Sequence, residues 1–148
     1  SHPARIPAAQ SSDALISNYD FMPTVLAYLG LPMPQTPRSP GRDFSPLLLG
    51  QALPVDWQHQ VAYEMENTRA LRTARWKIVE RFPAGPHEFY DMESDPQERF
   101  NLFNQPGYES EQSATRNQLR AFFKDYVDPK YDLWNGGTSK ATIHYLRH

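Results

Sequence analysis

The feature that most restricts what this chain can fold into is a series of four short segments of alternating or apolar character between His59 and Met92. The first, "HQVAYEME", alternates Val61, Tyr63 and Met65 against Ala62, Glu64 and Glu66, which is the period of a half-buried strand. "RALRTAR", "WKIVERF" and "HEFYDM" follow closely, with turn signals at Glu66-Asn67 and in the Pro83-Ala84-Gly85-Pro86 stretch. Connections this tight suit antiparallel neighbours, because parallel strands need long crossovers. The reading is a four-stranded antiparallel meander with one wet face, its strands near 60–65, 69–74, 76–82 and 88–92.

A sheet of this kind needs a cover. "YESEQSATRNQLRAFFKDYV" supplies one, because Leu119, Phe122, Phe123 and Tyr126 recur at helical spacing. Acidic Glu109 and Glu111 stand near its start and basic Arg120 and Lys124 toward its end, in accord with the helix dipole. The expected fold is therefore α+β: the meander with a 110–126 helix packed on one face.

Before the meander, proline dominates. Six of the 14 prolines lie between Pro32 and Pro54, so "LPMPQTPRSPG" is an extended surface strap or linker. "SNYDFMPTVLAYLGLP" reads as a short amphipathic helix from Asp20 to Leu29, with Asp20 as N-cap and Gly30 as the stop. "GRDFSPLLLG" reads as a further turn or two of helix capped by Asp43 or Ser45. An exposed apolar patch is expected around Leu26, Leu29 and Leu47 to Leu49, favouring self-association of the isolated chain. The division expected is 1–54 as helix and proline-rich arm, 55–127 as sheet plus helix, and 128–148 as an extended tail.

Composition removes several function classes. A net charge of -2 without long blocks of like charge leaves neither a nucleic-acid stripe nor a polybasic membrane patch. No cysteine is present, so disulfides, thiolate metal sites and a cysteine nucleophile within the chain are excluded. Five histidines, at 2, 59, 87, 144 and 148, lack zinc-ligand spacing. Four carboxylates between Asp91 and Glu98 suggest a calcium loop, but Pro96 stands where an EF-hand must turn. "DPQE" instead fits a capping box: Asp95 as N-cap, Pro96 at the first helical position and Glu98 reaching back.

The stretch "HEFYDMESDPQERFNLF" resembles the C-terminal subdomain of the type I sulfatases, members of the alkaline phosphatase superfamily. "SNYDFMPTVLAYLGLPMP", "GRDFSPLLLGQ" and "ALRTARWKIV" are similar to further segments of that family and occur in the same order, so the resemblance runs from Ile6 to about Tyr126. It implies a parent enzyme that hydrolyses sulfuric esters with a formylglycine and a bound divalent cation, usually calcium. The chain has no Asp-Asp or Asp-Asn pair to match the family's cation ligands. The resemblance accordingly places that machinery upstream of Ser1, and the chain is expected to support an N-terminal catalytic domain of the same polypeptide while being inactive alone. The expected substrate of the full enzyme is a sulfated ester or glycan, and the family suggests a periplasmic or secreted location. The alternatives are a free-standing carbohydrate-binding or protein-interaction module, and a fragment of a related phosphodiester or phosphonate hydrolase.

Three residues are candidates for contact with substrate. Glu64 and Arg69 flank the turn between the first two strands, where the family often points side chains at substrate, and the competing reading is a plain cross-strand pair. His87 precedes the last strand and meets either sugar or solvent. Arg72, Arg75 and Lys77 form either a basic face for a sulfated polysaccharide or the solvated side of the sheet. Tyr131 and Trp134 either stack on sugar or anchor the tail to the core.

Overall fold

The computed structural model describes residues 2–34 and 39–139. The chain forms two compact units, Ser1–Val61 and Ala62–His148. A four-stranded sheet in the order β1-β2-β3-β4 is built from Gln60–Met65, Thr68–Thr73, Trp76–Arg81 and Glu88–Asp91, all but Gln60 and Val61 belonging to the second unit. Antiparallel pairing sets Arg69 opposite Glu80 and Leu71 opposite Ile78, and β3 sets Ile78 opposite Phe89. A long helix, numbered α3 in chain order, spans Glu109–Tyr126. The expected α+β architecture is present.

Alternation along the strands puts Leu71, Ile78 and Phe89 on one face, where they are fully buried with Ala62, Leu119 and Phe123. Trp76 stacks on Phe89 with ring centroids 5.1 Å apart. The inward stripe of α3 is Gln112, Thr115, Leu119 and Phe123, while Tyr126 is exposed. In β1 the phase is the reverse of the apolar pattern: Ala62 is buried, and Tyr63 and Met65 lie outside. The reason is that Glu64, two residues on from Ala62, is held by Arg69 at 2.7 Å. On this edge strand an ion pair outweighs the alternation.

The first unit is organised differently. A 3-10 turn at Asn18–Asp20 leads into α1, Phe21–Leu29, and a four-residue helix α2 spans Ser45–Leu48. The expected role of Asp20 is corrected, because its side chain does not cap α1. Its carboxylate accepts from the backbone N–H of Ser17 at 2.8 Å and from that of Arg42 at 2.8 Å, completing a capping box with Ser17 and tying the returning strap to the helix. Thr24 works beside it, its hydroxyl donating to the Asp20 carbonyl at 2.6 Å and accepting from the Phe44 N–H at 3.0 Å. Gly41 passes so close to the Tyr19 carbonyl that a Cβ there would lie 2.1 Å from the oxygen, so only glycine fits.

The apolar stripe of α1 faces outward. Phe21, Met22, Val25 and Leu29 are exposed, whereas Leu47 to Leu49 are half-buried. The exposed patch thus lies on α1 and not on α2. After α3 the chain makes two 3-10 turns, Pro129–Tyr131 and Leu133–Asn135, where an extended tail was expected. Asp128 and Asp132 begin them by accepting from the N–H groups of Lys130 and Trp134. The part of the expected tail from 140 to 148 lies outside the described residues.

Candidate functional site

The most organised polar cluster of the second unit surrounds Arg69. Strand β2 presents its side chain on the same face as Leu71, beneath the last turns of α3, and only 5% of the residue is exposed. A guanidinium buried this deeply requires compensation. Nε donates to Glu64 at 2.7 Å, and Nη2 lies 3.0 Å from Asp132 in the tail turns. The guanidinium also sits over two rings, 4.3 Å from the centroid of Phe123 and 4.2 Å from that of Trp134. Opposite it in β3, buried Glu80 accepts from Arg116 of α3 at 2.5 Å.

Glu64 and Arg69 are therefore brought together, as the cross-strand reading required, and Arg69 also clasps helix and tail. Glu64 keeps about a fifth of its side chain exposed, at 21%. It lines a cleft of about 280 Å³ with Glu66, Tyr131 and Ser139. His87 stands apart from this pair. Its Nδ1 accepts from the Arg81 N–H at 3.1 Å and its ring lies 5.0 Å from that of Phe103. Trp134 anchors the tail, against Arg69 and 5.7 Å from Phe82.

The basic residues on and beside β3 are largely compensated. Arg75 donates to Asp91 at 2.9 Å and lies over Trp76, and Lys77 pairs with Glu98 at 2.5 Å. Arg72 turns to the carbonyls of Thr73 and Ala74. The hydrogen bond from Arg75 holds the Asp91 carboxyl below the usual carboxylate range, and burial, with the hydrogen bond to Glu88, pushes the Tyr90 phenol up to about 12.

The 87–103 stretch proves to be scaffold. The capping box expected at Asp95 is absent, since no helix follows. Asp95 instead accepts from the Phe100 N–H at 2.8 Å across a turn, and Glu98, in the left-handed region at φ 56°, reaches Lys77 and not back to Asp95. Asn101, which sequence reasoning passed over, is the staple of the segment. It accepts from the N–H groups of Phe89 and Phe103 and donates to the His87 carbonyl at 3.0 Å, covering the open edge of β4. An "NL" pair shortly after a strand is the available signal, because Leu102 then donates its N–H to Phe89.

No group of three or more His, Asp or Glu able to hold a metal occurs among the described residues. Among the same residues no helix is long and apolar enough to cross a membrane.

Comparison with known proteins gives this scaffold its place. The family described as "N-sulphoglucosamine sulphohydrolase, C-terminal" matches residues 1–125. An N-acetylglucosamine-6-O-sulfatase of Bacteroides thetaiotaomicron is 29% identical over 138 residues, which is 86% of this chain and 24% of that protein. A multifunctional alkaline phosphatase superfamily protein of Trinickia caryophylli is 29% identical over 93% of this chain and 28% of its own length. Among solved structures, a complex with the substrate D-glucosamine-2-N,6-O-disulfate superposes with a TM-score of 0.72 at 27% identity, covering 94% of this chain and 29% of that one. The chain spans about a quarter of the length of the curated relatives it matches.

The string Ser1-His2-Pro3-Ala4-Arg5 spells Ser-x-Pro-x-Arg, the pattern in which sulfatases make their formylglycine, although the family resemblance was expected to leave all of that machinery upstream of Ser1. It falls inside the segment that the C-terminal family matches, and Ser1 lies outside the described residues. The fold, the order of its segments and the match over most of its length agree: the chain belongs to the N-sulphoglucosamine sulphohydrolase C-terminal family and is a C-terminal sulfatase domain.

Proposed function

We propose that this chain completes a sulfatase whose reaction is carried out by an N-terminal catalytic domain of the same polypeptide, and that it has no hydrolytic activity alone. The observation that carries the reading is the outward apolar stripe of α1. Phe21 is 66% and Leu29 60% exposed, on a helix whose inward side is occupied by Thr24 and Pro23. Such a stripe is a docking face in need of cover. A catalytic domain is the occupant, because the curated relatives carry about three times this chain's length beyond the matched part. Calcium and formylglycine would belong to that domain, and would supply there the uptake of negative charge at the sulfuryl oxygens and the nucleophile.

The substrate class is a sulfated glycan, in keeping with the activities of two Bacteroides thetaiotaomicron relatives, the N-acetylglucosamine-6-O-sulfatase and a Delta 4,5-hexuronate-2-O-sulfatase that is 28% identical over 76% of this chain and 24% of its own length. Glu64 and His87 are the side chains assigned to contact with substrate, a role supported by their partial exposure, while Arg69 serves by holding Glu64 and the tail. Phosphonate monoester hydrolases share the fold at 22% identity, which speaks to architecture alone.

The test compares the full-length polypeptide with the 148-residue chain on an aryl sulfate and an aryl phosphodiester. Turnover of the sulfate by the full-length protein alone is expected. Turnover by the short chain, or a clear preference for the diester, defeats the proposal.

A further inference from the structure

The second unit holds a larger cleft, of about 540 Å³, between α3 and the 129–135 turns. That volume is in the range of small-molecule sites. Leu119 and Phe123 form its apolar base, Trp134 one wall, and Arg120 and Lys124, four residues apart on α3, its rim. Arg69 also lines it, and the Nη2 of this buried guanidinium makes no aligned hydrogen bond among the described residues although Asp132 is near.

Charge accounting decides what such a cleft attracts. Arg69 is balanced by Glu64 and Asp132, and Glu80, the carboxylate on the lining, is balanced by Arg116. Arg120 and Lys124 are exposed, and neither has an ion-pair partner among the described residues. The cleft therefore offers two uncompensated cations, a buried donor short of an acceptor, and an indole wall. An apolar occupant would leave Nη2 without its bond, and a cation would meet repulsion.

We propose that this cleft binds an acidic saccharide, with Arg120 and Lys124 meeting its sulfate or carboxylate oxygens, Arg69 Nη2 donating at the base, and Trp134 packing against the sugar ring. The inference rests on the glycan reading above and deepens it, by giving the domain its own contact with the polymer. Arginine and lysine together suit an anion that is approached from several sides.

The experiment titrates the 148-residue chain with a heparin tetrasaccharide, with its fully desulfated, N-acetylated counterpart, which keeps the carboxylates, and with neutral maltotetraose. Binding of the first alone identifies sulfate as the recognised group; equal binding of the first two identifies carboxylate. Either result supports the site, provided that Arg120→Ser/Lys124→Ser weakens binding at least tenfold while Arg5→Gln/Arg99→Gln, with the same charge loss, changes it less than threefold. Perturbation of the Trp134 indole and Leu119 methyl NMR signals in the unmutated chain is the independent readout. No binding to either acidic oligosaccharide, equal binding of maltotetraose, or an undiminished affinity of the rim variant overturns the proposal. Because the readout is binding, absence of sulfatase activity in the full-length protein would defeat the functional reading without deciding this one.

Discussion

The two units solve the problem of holding a short chain together in opposite ways. The second has a dry core, with Leu71, Ile78 and Phe89 at 0% exposure under α3. The first buries Asp20, Thr24 and Ser45 and leaves Phe21, Met22 and Leu29 in the open. Its strap is held by side-chain bonds to backbone groups, and by Arg42, which lies 4.0 Å over the ring of Trp57 and donates to the carbonyls of Gln58 and Gln60. The buried indole N–H of Trp57 finds no acceptor among the described residues. A unit with polar groups inside and apolar groups outside is shaped to be covered, whereas the sheet unit carries its own stability.

The contrast can be broken most forcefully in the core of the sheet. Phe89→Ala should cost about 3–5 kcal/mol, the range for a fully buried ring. Amide exchange should then rise across β2, β3 and α3 but not at Ser17 or Arg42. A uniform rise over both units would show that they are not separately stabilised. The converse change, Asp20→Ala, leaves two backbone donors unpaired at about 1–3 kcal/mol in total. Exchange should quicken at Ser17 and Arg42 while the strand amides stay slow.

A smaller effect is expected from Trp134→Ala, which removes one face of the Arg69 sandwich at roughly 0.5–2 kcal/mol. Limited proteolysis after Lys130 should accelerate with little change in the global unfolding midpoint; an unchanged cleavage rate would remove the anchoring role of the indole. The smallest effect is a pH dependence. The Asp91 carboxyl is lowered chiefly by the hydrogen bond from Arg75, so it stabilises the fold above the ordinary carboxylate pKa of about 3.9 and loses that contribution as pH falls through its depressed value. Thermal midpoints measured from pH 5 downward should fall less steeply for Asp91→Asn than for the unmutated chain.

Much of the sheet was legible because alternation and turn chemistry are local. β1 falls at its expected 60–65, and α3 begins one residue before its expected start at 110. The face of β1 was not legible, because Val61, Tyr63 and Met65 form the more apolar set, and only Arg69 reveals why Glu64 turns inward. Asp95 misled for a related reason. A cap and a turn use the same acceptor, and the helix that would distinguish them does not follow. Among the candidate site residues, the Glu64–Arg69 pairing could be read from their places around a turn, but the contribution of Asp132, 63 positions beyond Arg69 by the numbering, could not.

Residue order by itself determined the kinds of element, their succession and the absence of thiol chemistry, since φ/ψ preference and periodicity belong to the chain before it folds. Tertiary structure alone decided which faces were buried, that Asp20 fastens a strap and that Arg69 sits between two rings. Those outcomes depend on the desolvation of charged groups by partners remote in sequence, and that free energy exists only once the partners have met.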